Sequence, residues 1–274
     1  MTGEPRVQRI APDELPELLT RLKDERTAKL ALIGPTIKLS ASSLPEKLRE
    51  GVVYKLSGVL SELPCELLRL DYLQTLTLWR LGLKDEDVIK IAENLEHLTA
   101  LDLSANKLSD VSLQTICKHF RKLKMLDLGN EVERSSLSWI VCSEGNHFSE
   151  TSMLMLAEHL GQLTALDLSG IKVGIAGVQA LAVNLGQLTT LNLKLTKMKV
   201  TGAQVIAEHL GQLTTLELGY NEVGEAGARA ISEHLDQLTE LDLSNKNLGE
   251  AGAQAISEHL GKLKAHDLKN KNLG

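Results

Sequence analysis

The segments Leu160-Gly-Gln-Leu-Thr164, Leu185-Gly-Gln-Leu-Thr189, Leu210-Gly-Gln-Leu-Thr214, Leu235-Asp-Gln-Leu-Thr239 and Leu260-Gly-Lys-Leu-Lys264 recur every 25 residues. Counted backwards, Leu70, Leu95 and Phe120 keep the same phase. The step from Phe120 to Leu160 is 40 residues, which marks one insertion of 15. Eight units are in view. A period of this length belongs to arrays in which each unit is one supersecondary element that stacks on its neighbours, so the 274 residues need not divide into independent globular domains.

Inside a unit, Leu163, Leu166 and Leu168 space as Leu-x-x-Leu-x-Leu, and the last two alternate as a strand does. A turn with glycine follows, as at Val223-Gly224. The run from Gly227 to Leu235 then repeats its apolar residues at three- and four-residue spacing, which predicts a helix. Glu225 and Glu250 fall near the helix starts and His234 and His259 near the ends, signs that suit the helix dipole. One unit cannot bury its leucines alone. Stacking sets strands about 4.8 Å apart on one side and helices about 9 Å apart on the other. That mismatch predicts an α/β solenoid bent into a horseshoe, with parallel strands on the concave face and helices on the convex one.

Composition narrows the function classes. Hydrophobic residues make up 43% and charged residues 24%, which supports a continuous core and excludes a disordered chain. Aromatics at 3% leave little for base stacking, and a net charge of -6 gives no pull on phosphate backbones, so nucleic acid is not an expected partner. No apolar run reaches the ~20 residues of a membrane span, and the first residues lack a signal-peptide pattern. Cys65, Cys117 and Cys142 stand at unrelated spacings and predict free thiols in a reducing, cytoplasmic setting. The histidine column His119, His159, His209, His234 and His259 lies at helix ends about a helix diameter apart. Adjacent histidines there cannot share a zinc ion, and no metal site is expected. GxSxG, P-loop and HExxH motifs are absent, so no catalytic residue, cofactor or enzymatic activity is expected.

From about Leu70 to Gly274 the chain resembles leucine-rich repeat proteins of the ribonuclease-inhibitor-like subclass. Asn106 and Asn221 match the family's strand-to-loop asparagine, while Leu81, Ile171, Thr196, Lys246 and Lys271 stand at that place in other units. Upstream, Ile37-Lys-Leu39 through Leu44-Pro45 to Leu48, and Tyr54-Lys-Leu56 through Leu63-Pro64 to Leu67, resemble the shorter bacterial repeat in which a Leu-Pro turn replaces the helix. The expected organisation is a helical cap over 1–30, short Leu-Pro repeats over 31–69, and 25-residue repeats over 70–274 with the insertion near 130–146. This mixture resembles the repeat effectors that intracellular bacteria place in host cells. The resemblance implies a virulence effector that binds a host protein in the host cytosol, exported by a route that needs no signal peptide.

Candidate partner-binding residues follow from the strand pattern. Residues between two inward leucines point outward, and that column reads Thr77, Asp102, Asp127, Asp167, Asn192, Glu217, Asp242, Asp267. Unit charges about 5 Å apart at an effective dielectric near 20 repel by roughly 3 kcal/mol before salt screening. A partner with a basic or mixed surface would relieve Asp102, Asp127, Asp167, Glu217 and Asp242; alternatively, neighbouring serines and threonines satisfy them. Trp79 and Tyr220 are candidate aromatic anchors, and Trp79 equally suits a cover for the junction between the two repeat types. Trp139, within the insertion, is the third candidate anchor, packed either on the body or on a partner. The leading function is a non-enzymatic protein-interaction module. Two alternatives are regulation of a small GTPase by direct contact, as in Ran GTPase-activating proteins, and a ubiquitin-ligase adaptor, since Leu15-Pro-Glu-Leu-Leu19 and Leu63-Pro-Cys-Glu-Leu-Leu68 resemble an F-box start.

Overall fold

A computed structural model describes residues 7–24, 29–33, 52–56, 61–130, 132–134, 139–141, 145–244, 248–259 and 265–266. The chain forms two compact units, one of residues 1–127 with 144–146, the other of 128–143 with 147–274.

The first unit contains β1 (Val7–Ile10), α1 (Leu15–Asp24), β2 (Lys29–Ile33), β3 (Val52–Leu56), β4 (Thr75–Trp79), α2 (Asp85–Asn94), β5 (Ala100–Asp102), α3 (Asp110–His119) and β6 (Met125–Asp127). Its strands are parallel in the order β1-β3-β2-β4-β5-β6. From β4 onward the spatial order follows the sequence, as the 25-residue repeat requires. Upstream it does not: β2 pairs with β4 from Lys29↔Thr75 to Ile33↔Trp79, and β3 lies between β2 and β1. A serial stack of short repeats would have put β3 beside β4. The Leu44-Pro45 turn lies outside the described residues. Leu63 and Leu67 are buried beside a short 3-10 turn at Leu67–Arg69. Helix α1 buries Leu15, Leu18, Leu19 and Leu22, the face its spacing predicts, and exposes Glu17, Thr20, Arg21 and Lys23.

The second unit opens with the insertion, where β7 (Val132–Arg134) and β8 (Trp139–Val141) form an antiparallel pair. Next come α4 (Glu150–His159), β9 (Ala165–Asp167), α5 (Gly174–Asn184), β10 (Thr190–Asn192), α6 (Val200–His209), β11 (Thr215–Glu217), α7 (Gly224–His234), β12 (Glu240–Asp242), α8 (Gly249–His259) and β13 (Ala265–His266). Strands β9 to β13 are parallel and in sequence order, with Leu166, Leu191, Leu216 and Leu241 in one register. The pattern is an α/β leucine-rich repeat solenoid, with one strand and one helix per repeat.

The recurring pentapeptide has a physical role at each place. Leu160, Leu185, Leu210 and Leu235 cap helix C-termini, are buried, and close on the carbonyl four residues back. The next leucine turns the chain toward the strand, as in Leu163 N–H to Leu160 O at 3.0 Å. The threonine ties each repeat to the one before it. Thr189, Thr214 and Thr239 each donate the hydroxyl, at 3.1 Å, to the backbone oxygen of the threonine 25 residues earlier, which also accepts the backbone amide.

The buried asparagines do the same on the other side of the strand. Asn106 accepts from the amides of Leu81 and Leu83 at 3.0 and 3.1 Å and donates to Leu78 O at 2.8 Å. Asn221 accepts from Met198 N–H at 2.9 Å and donates to Leu193 O at 2.6 Å. The third member is Asn146, which accepts from Leu108 N–H at 3.1 Å and donates to Leu103 O at 3.0 Å. It lies 40 residues after Asn106, so the insertion falls between a strand and its ladder asparagine without removing the ladder. Thr196 substitutes with a hydroxyl that donates to Leu193 O at 2.8 Å.

Candidate functional site

The outward column of the second unit's strands holds Asp167, Asn192, Glu217 and Asp242 as direct register partners. Two residues further along each strand, on the same face, stand Ser169, Lys194, Gly219 and Ser244. The column is not a bare row of like charges. Asp167 accepts from Ser169 N–H and from the Asn192 amide, both at 2.8 Å. Asp242 accepts from Ser244 N–H at 2.8 Å and from the Lys194 ammonium at 2.6 Å. Lys194 thus reaches across two repeats. It can do so because Gly219 lies beneath: a Cβ there would stand 3.0 Å from Lys194 Cε and 2.9 Å from Asp242 Oδ2.

Electrostatics separate the three acids. Burial would raise the Asp242 carboxyl, but hydrogen bonds from Lys194 and Ser244 outweigh it and hold it below the ordinary aspartate range. Burial would lower the Lys194 ammonium, yet Asp242 and Glu217 together push it up. Glu217 moves the other way: burial raises it, Lys194 opposes, and Asp167, Asp242 and Glu240 add to the rise. Burial and its acidic neighbours therefore disfavour the charged form of Glu217, the opposite of Asp242. The uniform repulsion expected from the sequence is replaced by a compensated Asp242, a hydrogen-bonded Asp167 and a strained Glu217.

The first unit differs. Asp102 and Asp127 are buried, 6% and 9% exposed, as are Thr77 and Ser104. Asp102 accepts from Ser104 N–H at 3.0 Å and Oγ at 2.6 Å. The serine partnership weighed from the sequence therefore occurs here. Trp79 ends β4, half-buried, with Ile33 as its register partner. In the second unit, Tyr220 is half-buried directly after Gly219, in a left-handed backbone at φ 59°. Trp139 is in β8 opposite Arg134, and its side chain lies outside the described residues, as does Asp267. The second unit's strand face thus brings together Asp167, Glu217, Asp242 and Tyr220. Trp79, Asp102 and Asp127 belong to the first unit.

Lys194 was missed as a site residue. Its signal was in the sequence, because the column reads Trp79, Ser104, Gly129, Ser169, Lys194, Gly219, Ser244 and Lys269, so Lys194 interrupts a run of small residues. The histidines contact helix-end carbonyls: Nδ1 of His159, His209 and His234 is 3.0 Å from the oxygens of Met155, Val205 and Ala230. Among the described residues no group of three or more His, Cys, Asp or Glu is placed to hold a metal ion, and no helix is long and apolar enough to cross a membrane. Cys65 and Cys117 are free thiols, and Cys142 lies outside the described residues.

A family profile described as Leucine Rich repeat matches residues 94–117 and 213–232. With the strand register, the threonine ties and the asparagine ladder, this makes the chain a leucine-rich repeat protein. Domains of this family generally mediate protein–protein interaction and are generally non-enzymatic scaffolds. No curated protein matches the chain.

Proposed function

We propose that the protein is a non-enzymatic interaction module that binds a protein partner with a basic or mixed surface on its strand face. Asp167, Glu217, Asp242 and Tyr220 of the second unit form the centre of the contact; Trp139 in the insertion and, in the first unit by itself, Trp79 are separate candidate anchors. The observation that carries this reading is Glu217, a half-buried carboxylate beside three other acids whose charge the single ammonium of Lys194 does not offset. A partner's lysine or arginine placed there would stabilise the charged form. Asp102 and Asp127, being buried, contribute less in this reading. The mixture of repeat types further supports an effector acting on a host protein in the host cytosol. Five of the six leucines of the two F-box-like segments, Leu15, Leu18, Leu19, Leu63 and Leu67, are buried in the chain's own core and Leu68 is half-buried, which weighs against the adaptor alternative.

The test is affinity capture from eukaryotic lysate with wild type and with Asp167→Asn/Glu217→Gln/Asp242→Asn, each at low and high salt. The reading expects a host protein that the wild type retains, that high salt releases, and that the triple variant loses while still melting as a folded protein. Equal capture by both, with the same salt response, would remove the acids from the contact.

A further inference from the structure

Helix α5 departs from the other helices of its unit in a way that the strand-face contact does not use. Its eleven residues carry no charge. Val183 stands where the repeats place Glu158, Glu208, Glu233 and Glu258, and Ile175 where they place Glu150, Glu225 and Glu250, with Val200 at that place in the next repeat. Both valine and isoleucine are solvent-facing, 62% and 52% exposed. With Gln179 between them they lie at i, i+4 and i+8, a single stripe about 12 Å long on the outer side of the helix. Four sister helices show that the fold tolerates glutamate at the Val183 position, so packing does not require an apolar residue there.

A groove of about 320 Å³ adjoins Ile175. Its walls are Ile175, Val178 and Met198, and Gly202 lets α6 come close: a Cβ on Gly202 would meet Met198 Cγ at 2.5 Å and Val178 Cγ1 at 3.5 Å. Lys197 and Lys199 line the rim, and Lys172 is exposed at the place in its repeat that Lys197 occupies in the next. Among the described residues no ion pair joins any of the three lysines. The neighbouring acids at the Ile175 end are Glu150, which accepts from the Ala176 amide at 3.2 Å, and Glu222, the bridge partner of Lys199, while Glu158 and Glu208 hold the equivalent position to Val183 on the adjacent helices α4 and α6. The surface is thus apolar in its middle and basic at one end.

We propose that this helix-side surface docks an amphipathic acidic segment of a partner protein, with apolar side chains on Ile175 and Val183 and in the groove, and carboxylates against Lys197 and Lys199. The charge sign separates it from the strand face, which calls for a basic partner. A helical segment with apolar residues one turn apart matches the spacing from Ile175 to Val183.

The probe is a fluorescent helical peptide of leucine and glutamate, titrated into the full chain by anisotropy, with a leucine and lysine peptide as the control. Saturable binding of the Leu/Glu peptide is expected, weakened at least about tenfold by Ile175→Glu/Val183→Glu and separately by Lys197→Glu/Lys199→Glu. Asp167→Asn/Glu217→Gln/Asp242→Asn should leave it unchanged, which distinguishes this surface from the strand face. No binding to wild type, equal binding to the variants, or preference for the Leu/Lys peptide would overturn the proposal. So would concentration-dependent self-association that Ile175→Glu/Val183→Glu abolishes, since a second copy would then be the occupant. Matched thermal melts establish that the variants fold.

Discussion

At the scale of single residues, the ammonium of Lys194 decides what the acidic column is. Paired with Asp242, it leaves Glu217 as the acid raised by burial and by Asp167, Asp242 and Glu240. A carboxyl whose folded-state pKa is raised is tolerated best when protonated, so its penalty is absent below the ordinary glutamate value of 4.5 and grows as pH rises through the folded value. Glu217→Gln should therefore raise the melting temperature at neutral pH, on the order of 2 °C, with the gain fading as pH falls toward that ordinary value. Calorimetry across pH checks this, and a gain independent of pH would contradict the charge argument. Thiols offer a second test. Cys117 is buried and its thiol is pushed up to about 12, while Cys65 is exposed. A thiol reagent should label Cys65 in the native protein and reach Cys117 only after denaturation. The acidic column was legible from strand alternation alone. The reach of Lys194 was not, because it depends on a missing Cβ at Gly219, one repeat and 25 positions on in sequence.

At the scale of elements, helices and strands are joined to the next repeat by side chains placed at fixed offsets. Asp85, at the start of α2, accepts from Ser109 N–H at 2.9 Å, from Ser112 N–H at 3.2 Å and from both serine hydroxyls, so one carboxylate serves the start of α3. Burial would raise it, but these bonds outweigh burial and hold its pKa below 3.8. The resulting stability is present above 3.8 and is lost as pH falls through the lower folded value. Asp85→Asn should cost about 1–2 kcal/mol at neutral pH, as loss of a helix cap does, with the gap to wild type closing in acid. Asn221→Leu should cost more, about 2–4 kcal/mol, because it strands the Met198 amide and the Leu218 carbonyl and leaves the Leu193 carbonyl to the Thr196 hydroxyl alone. Denaturant melts measure both. Asn106 and Asn221 were readable as ladder positions from their place after the strand. Asn146 was not, since the insertion moves it 15 residues out of phase and only the fold returns it to Leu103 and Leu108. The left-handed residue after five of the strands was equally hidden: Arg80, Ala105, Leu195 and Tyr220 adopt φ of 53°, 54°, 58° and 59°, with Gly170 at 69°. Four of these five side chains give no composition signal for a conformation that glycine favours.

At the scale of the whole chain, stability is carried from neighbour to neighbour. Leu216 is fully buried between Leu191 and Leu241 in the register, so Leu216→Asp puts a carboxylate where no partner can reach it. Hydrogen exchange should show protection lost in β10 and β12 as well as in β11; loss in β11 alone would mean that each repeat holds itself. The architecture of the 25-residue repeats was open to reading because every level shares one period. The order of the first strands was not, because β2 reaches β4 by register while β3 turns aside to β1, and no local periodicity encodes a crossover. The shared count has a consequence for how such a chain can change length. The threonine ties, helix caps and leucine register all close on 25, so excising the residues from Gly186 to Leu210 joins Leu185 to Gly211 in the same phase, whereas removing one residue fewer misaligns everything downstream. Within the uninterrupted array from Leu160 onward, growth and shrinkage therefore come in whole quanta, and the near-identical stretches that begin at Leu160, Leu185 and Leu210 are the points at which a recombining gene would slip by one.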